Sequence, residues 1–266
     1  MKRAYVILCL AALSFTAGAT DYAALQDSVA TGMQLRTGAD FNFKFDRVTL
    51  NFGEELRFNL MPTAEVHLAN TYLEADVNIV RGYFHGHAGY SLRARTGKLG
   101  TTTDVNKILR HRVYFGLSEQ VKLGTLQRFT LSLRERAVLN IRTDSPNLFE
   151  KPAYAWDMRY RLQLQYKAAS KPLTPYLWTE LVHTCNATEY QRYYNNSHNY
   201  ISAVKAAVGL KWKLDATNTL NFYARYDWSH DFDIDANKEG TTVKTAYEIR
   251  QHLAIIGVEY KFGWKK

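Results

Sequence analysis

Arginines recur at alternate positions in four separate stretches of this sequence: Arg93 and Arg95, Arg110 and Arg112, Arg134 and Arg136, Arg159 and Arg161. Arg57 and Arg225 stand singly in stretches of the same kind. A guanidinium stays charged at any ordinary pH and grips a carboxylate or phosphate through a fork of two N–H groups. A spacing of two puts both members of a pair on one face of a β-strand. The chemistry on offer is recognition of anions by a basic wall. The pairs Arg110/Arg112, Arg134/Arg136 and Arg159/Arg161, on three successive strands, are expected to build it. Acids share these faces: Asp40, Glu55, Glu74, Asp76, Asp157, Glu180, Asp227 and Glu259. Unpaired charge in a confined space is costly, so an ion-pair network that fills and stiffens the interior is the competing expectation.

Other residue patterns offer less. His85 and His87 share a strand face and could hold a transition metal if a third ligand arrived. His111, on the next strand, points the other way, so ordinary hydrogen bonding is expected and no metal or cofactor. Ser197 and His198 in "YYNNSHNY" are adjacent, would point apart on a strand, and lack a partner acid or nucleophile motif. The expectation is a protein without catalysis.

The elements that must carry these side chains read plainly. In "AWDMRYRLQLQYK", Trp156, Met158, Tyr160, Leu162, Leu164 and Tyr166 alternate with Asp157, Arg159, Arg161, Gln163, Gln165 and Lys167. One face is apolar with aromatic ends and the other is charged. The pattern recurs from Met33 to Phe45, Val48 to Leu60, Thr71 to Ile79, Tyr83 to Arg95, Leu109 to Val121, Arg128 to Arg142, Thr174 to Thr184, Asn199 to Leu214, Leu220 to Trp228 and His252 to Phe262. Turn-like connections such as "FDRV", "IVRG", "QVKLGT", "AASKPL" and "LDATNT" alternate with longer polar ones around 61–69, 96–106, 143–153, 185–198 and 229–246.

Residues 1–19 have the form of a cleaved secretory signal. Lys2 and Arg3 precede a short apolar run, and Ala17-Gly18-Ala19 is a cleavage site. Its loss takes the formal charge from +9 to +7, because Lys2 and Arg3 leave with it. Cys9 leaves too, so Cys185 is the one cysteine of the expected mature chain, residues 20–266, and no internal disulfide can form. Nothing later is long and apolar enough for a spanning helix. The chain ends in "GVEYKF", whose Gly257, Tyr260 and Phe262 resemble the C-terminal strand signal of outer-membrane barrels. Ile255 stands where that pattern has a polar residue, and residues 263–266 run past it.

Alternation alone also describes a soluble sheet with an apolar core. Two features favour a membrane barrel. Aromatic residues gather towards strand ends, as interfacial girdles do, and opposed charges lie near strand centres. The expected fold is all-β: a transmembrane antiparallel up-and-down β-barrel with short periplasmic turns and longer extracellular loops. Eleven strands are defensible from the pattern, whereas single-chain bacterial barrels usually have an even number. The expectation is about twelve, with a first strand inside "DYAALQDSVAT", and ten as the alternative. The acidic Glu54 and Glu135 and the histidines His111 and His252 fall on the outward register, where Glu135 is the most anomalous.

Five pieces in order, "EELRF", "RHRVYFGL", "LSLRERA", "MRYRLQLQY" and "TPYLWTEL", resemble the DUF2490-type family of Gram-negative outer-membrane β-barrels of unknown function. The resemblance implies an outer-membrane barrel and no assigned activity. The functional expectations are a narrow Arg-lined channel for small anionic solutes, or a plugged barrel that binds ligands or partners through its loops. A lipid-modifying enzyme comes last. Expected partners are outer-membrane lipid and the barrel assembly machinery, not nucleic acid.

Overall fold

The structure is a computed structural model and describes residues 26–62, 64–95, 109–142, 154–167, 172–186, 199–236 and 243–265. These form eleven β-strands in one closed barrel. They are β1 (Gln26–Phe45), β2 (Val48–Met61), β3 (Glu65–Val80), β4 (Phe84–Arg95), β5 (Leu109–Leu123), β6 (Phe129–Arg142), β7 (Tyr154–Tyr166), β8 (Leu173–Thr184), β9 (Tyr200–Lys213), β10 (Asn218–Ala236) and β11 (Val243–Lys265). Each strand pairs antiparallel with its chain neighbour, and β1 closes the barrel by pairing parallel with β11, from Gln26↔Tyr247 to Lys44↔Lys265. An odd strand number requires one such parallel seam.

The strand count differs from the expected twelve for a local reason. From Gln26 onward, "QDSVAT" runs without a turn into "GMQLRTGADFNFKF", so both belong to β1. Residues 20–25, like the signal segment 1–19, lie outside the described residues. Two expected long connections also shrink. Strand β3 begins at Glu65, leaving residues 62–64 between it and β2, with a cis Met61–Pro62 bond. Strands β10 and β11 extend to Ala236 and back from Val243, because alternation continues through Phe232, which meets Tyr200 edge-on at 5.9 Å. The connections β1–β2, β3–β4, β5–β6, β7–β8 and β9–β10 define a short-turn rim, with the C-terminal end of β11, and the parallel seam puts Gln26 on the opposite rim, where the brief β2–β3 connection also lies.

The polarity of the barrel is inverted relative to a globular core. The apolar members of each alternation point outward: Phe115 is 55% exposed, Leu177 53% and Val208 61%. The polar members point inward, where Arg36, Arg112, Glu180 and Asp227 are buried. Outward aromatics cluster at the short-turn rim, where Trp264 lies 6.3 Å from Phe43 and 5.9 Å from Phe45, and Phe129 lies 4.9 Å from Tyr166. Nearer the other rim, the Tyr90 and Tyr226 hydroxyls hydrogen-bond His111 and His252, which answers part of the outward polar anomaly. Glu54 and Glu135 are exposed on the outer surface.

Inside, four tyrosines lie flat over glycines on the neighbouring strand: Tyr72 on Gly53, Tyr114 on Gly89, Tyr176 on Gly209 and Tyr223 on Gly257. Each pair is directly cross-strand, and a Cβ at any of these glycines would enter the ring. The absence of a side chain lets the ring lie against the wall, an aromatic cover for a strand glycine.

Candidate functional site in the lumen

Alternation brings the polar face of every strand to one interior. The charges there do not fill it: the described residues line cavities of about 560 Å³ and 360 Å³. Ala30, Met61 and Pro62 place the larger, outer cavity towards the rim where Gln26 lies, and Asn42, Asn51 and Lys261 place the smaller, inner cavity towards the short turns. Glu55, Arg57, Arg93 and Arg161 line both, so the cavities meet at these four side chains. Each cavity is lined by seven basic side chains and three carboxylates.

Most of the cations hold an acid. Glu180, 4% exposed, holds two cations. Its Oε2 accepts from Arg161 Nε at 2.9 Å and Nη2 at 2.6 Å, and its Oε1 from Lys205 Nζ at 2.9 Å. Arg161 also stacks 4.1 Å from the Trp178 ring, which Arg225 approaches at 5.4 Å. Arg225 forks onto Asp227, which lies 3.9 Å from Arg36. Arg57 donates to Glu55. Arg136 on β6 reaches Glu74 on β3 at 2.7 Å while lying 4.3 Å over the Tyr114 ring. Arg159 lies 3.2 Å from Asp157, which also accepts from Asn140 and Thr184. At the inner end Lys261 meets Asp40 at 2.7 Å and Glu259 at 3.7 Å.

Three arginines are left over. Arg93 has only a 3.3 Å bond from Nε to Asn70, and Arg112 and Arg134 have neither a hydrogen bond nor an ion pair among the described residues. Arg112 is 7% exposed, and its Nε is buried without an acceptor. The charges around it are the guanidiniums of Arg159, Arg57 and Arg136 and the carboxylate of Asp157, which bonds other groups.

The anticipated wall is brought together in part. Arg134 lies directly opposite Arg161, and Arg136 opposite Arg159, so β6 and β7 carry a square of four guanidiniums. The register of β5 offsets its pair: Arg112 faces Asn140, and Arg110 faces Arg142 near the rim, bonding the Leu109 carbonyl. Arg95 is the last residue of β4, and its side chain lies outside the described residues. His85 bonds Asp76 at 2.9 Å and Gln120 at 3.1 Å, which fits an Nδ1–H donating to the acid while the Gln120 amide donates to Nε2. Ser197 and His198 lie outside the described residues. Of the C-terminal residues, Gly257 faces inward under Tyr223, while Tyr260 and Phe262 face outward, Phe262 6.4 Å from Phe41. The alternation in the sequence puts Arg36 and Lys205 on the polar faces of their strands, but neither they nor Lys261 were counted among the candidate lumen cations. Their strand phase was the available signal, since Arg36 shares a face with Asp40 and Lys261 with Glu259.

These features define a class: a closed β-barrel with an apolar exterior and a charged, arginine-rich interior holding two joined cavities. A family model described as protein of unknown function (DUF2490) matches residues 26–238. The chain belongs to that family. Among solved structures, it is similar to a NanC porin at 14% identity and TM-score 0.41, covering 86% of this chain and 98% of that one. A bacterial polysaccharide outer membrane secretin gives 7% identity and TM-score 0.44 over 70% of this chain, and OmpT of Vibrio cholerae gives 13% and 0.39 over 81%. The chain spans 59% of the secretin chain and 64% of the OmpT chain. No curated protein sequence matches.

Proposed function

We propose that this chain is an integral outer-membrane β-barrel whose lumen is a narrow, arginine-lined path for small anionic solutes. The outward band of large apolar side chains supports a lipid-facing exterior, because such a surface is unfavourable in water and favourable in hydrocarbon. The short-turn rim is then periplasmic, and residues 1–19 are the export signal. The observation that carries the path is the surplus of cations around both cavities, including three arginines without an acid. That surplus draws anions in and disfavours cations, and the forked donors replace part of the anion's hydration. Lipid and the assembly machinery are the partners, the latter through Gly257, Tyr260 and Phe262. No catalysis is assigned.

Selectivity of the refolded protein in planar bilayers tests the path. The wild type is expected to prefer anions, and Arg112→Gln with Arg134→Gln to lower that preference. Equal selectivity in the two proteins would sink the reading.

A second reading rests on the ion pairs that link strands not directly paired, such as Arg136 on β6 to Glu74 on β3 and Arg36 on β1 to Asp227 on β10. They brace the wall, and a barrel closed by them would pass no current.

Membrane placement has its own test in Glu135. Its carboxylate is exposed midway along β6, opposite Leu117 and Tyr160. Glu135→Leu is expected to raise unfolding stability in lipid bilayers by about 1–2 kcal/mol. A change indistinguishable from zero in urea titrations would argue that this face does not meet hydrocarbon.

A further inference from the structure

We infer that the inner cavity is a saturable site for a compact polyanion of about three negative charges, held by Arg93, Arg112 and Arg134. The inference rests on the proposed anion path and names the class of solute that would lodge in it.

Charge pairing separates the two cavities. The cations found only in the outer cavity each have a carboxylate: Arg36 and Arg225 share Asp227, Lys205 has Glu180, and Arg159 has Asp157. In the inner cavity Arg57, Arg136 and Lys261 contact Glu55, Glu74 and Asp40, and Arg161 shares Glu180 with Lys205. What remains is one guanidinium without an ion pair on each of three consecutive strands, β4, β5 and β6, that of Arg112 buried and those of Arg93 and Arg134 half-buried. Confined cations without a paired carboxylate are unfavourable, and an anion in the cavity supplies the missing partner. A monoanion would leave two of the three unmatched. Arg93 and Arg112 lie on paired strands, and Arg134 pairs with Ser118, six residues further along β5 than Arg112, so a solute with several phosphate or carboxylate groups grips the first two through forked hydrogen bonds and extends along the cavity towards the third.

Size and the remaining lining agree. About 360 Å³ is within the range of small-molecule sites, so the solute is compact rather than a polymer. Ser91, Asn70, Tyr72 and Tyr114 add neutral polar groups beside the arginines, suited to further oxygens on the same molecule.

The test is block of chloride current through the refolded full chain by pyrophosphate and by tricarballylate, with acetate as the monoanion. Both polyanions are expected to block at concentrations at least about tenfold below acetate. Arg112→Gln with Arg134→Gln should raise the half-blocking concentration about tenfold or more, with heat-modifiable gel mobility showing that the variant is folded. Chloride-selective current that polyanions block no better than acetate, or block equally in the variant, would overturn the site and leave the anion path standing. If the folded protein passes no current, calorimetric titration with pyrophosphate decides: binding lost in the variant supports the site, and no binding to the wild type overturns it. Block by pyrophosphate alone would assign phosphates, and by tricarballylate alone carboxylates.

Discussion

Glu180→Gln is expected to cost the barrel about 3–5 kcal/mol of unfolding free energy, the usual effect of removing one partner from a buried charge cluster. The carboxylate is almost wholly buried and is the shared acceptor of Arg161 and Lys205, on the two strands either side of β8. Glutamine keeps the shape and removes the charge, leaving two cations in the lumen with no acid. Arg161 would also lose the contact that holds it flat on Trp178. Urea titration of the refolded protein in lipid vesicles reads the loss. Lys205→Met in the same background should return part of it, because the two changes are coupled through one site. A loss below about 1 kcal/mol would mean that lumen water screens the cluster and that the ion pairs carry little of the barrel's stability.

Gly257→Ala is expected to cost about 1–3 kcal/mol and to lower the yield of refolded barrel, as overpacking does. The new Cβ would enter the Tyr223 ring, which lies directly across the β10–β11 pair. Tyr223→Ala in the same chain should restore most of the loss by vacating the space. Refolding of purified protein into vesicles, with no assembly machinery present, separates packing from recognition. If Gly257→Ala refolds normally there but fails to reach the membrane in cells, Gly257 acts as an assembly signal and the packing argument fails.

The strand pattern was legible in the sequence because a barrel wall has a simple requirement, one apolar and one polar face at period two. All eleven alternating segments appear as strands, several longer than their clearest alternation. What was not legible depends on register. The offset of Arg112 from the Arg134 and Arg136 square follows from how β5 slides against β6, and nothing within either strand encodes it. The Gly–Tyr pairs likewise join residues such as Gly209 and Tyr176, far apart in the chain. The parallel seam was missed because Asp21–Thr31 was read as a strand of its own, whereas its described part continues into β1. Which arginines keep an acid could not be read at all, since Arg136 finds its partner three strands away on β3.

The most direct measurement of the central claim is the reversal potential of single channels formed by the wild-type protein in a potassium chloride gradient. The expected sign is that of chloride permeating faster than potassium, set by the surplus arginines of the lumen. A potential of the opposite sign, or silence from a barrel shown to be folded and inserted, would contradict it.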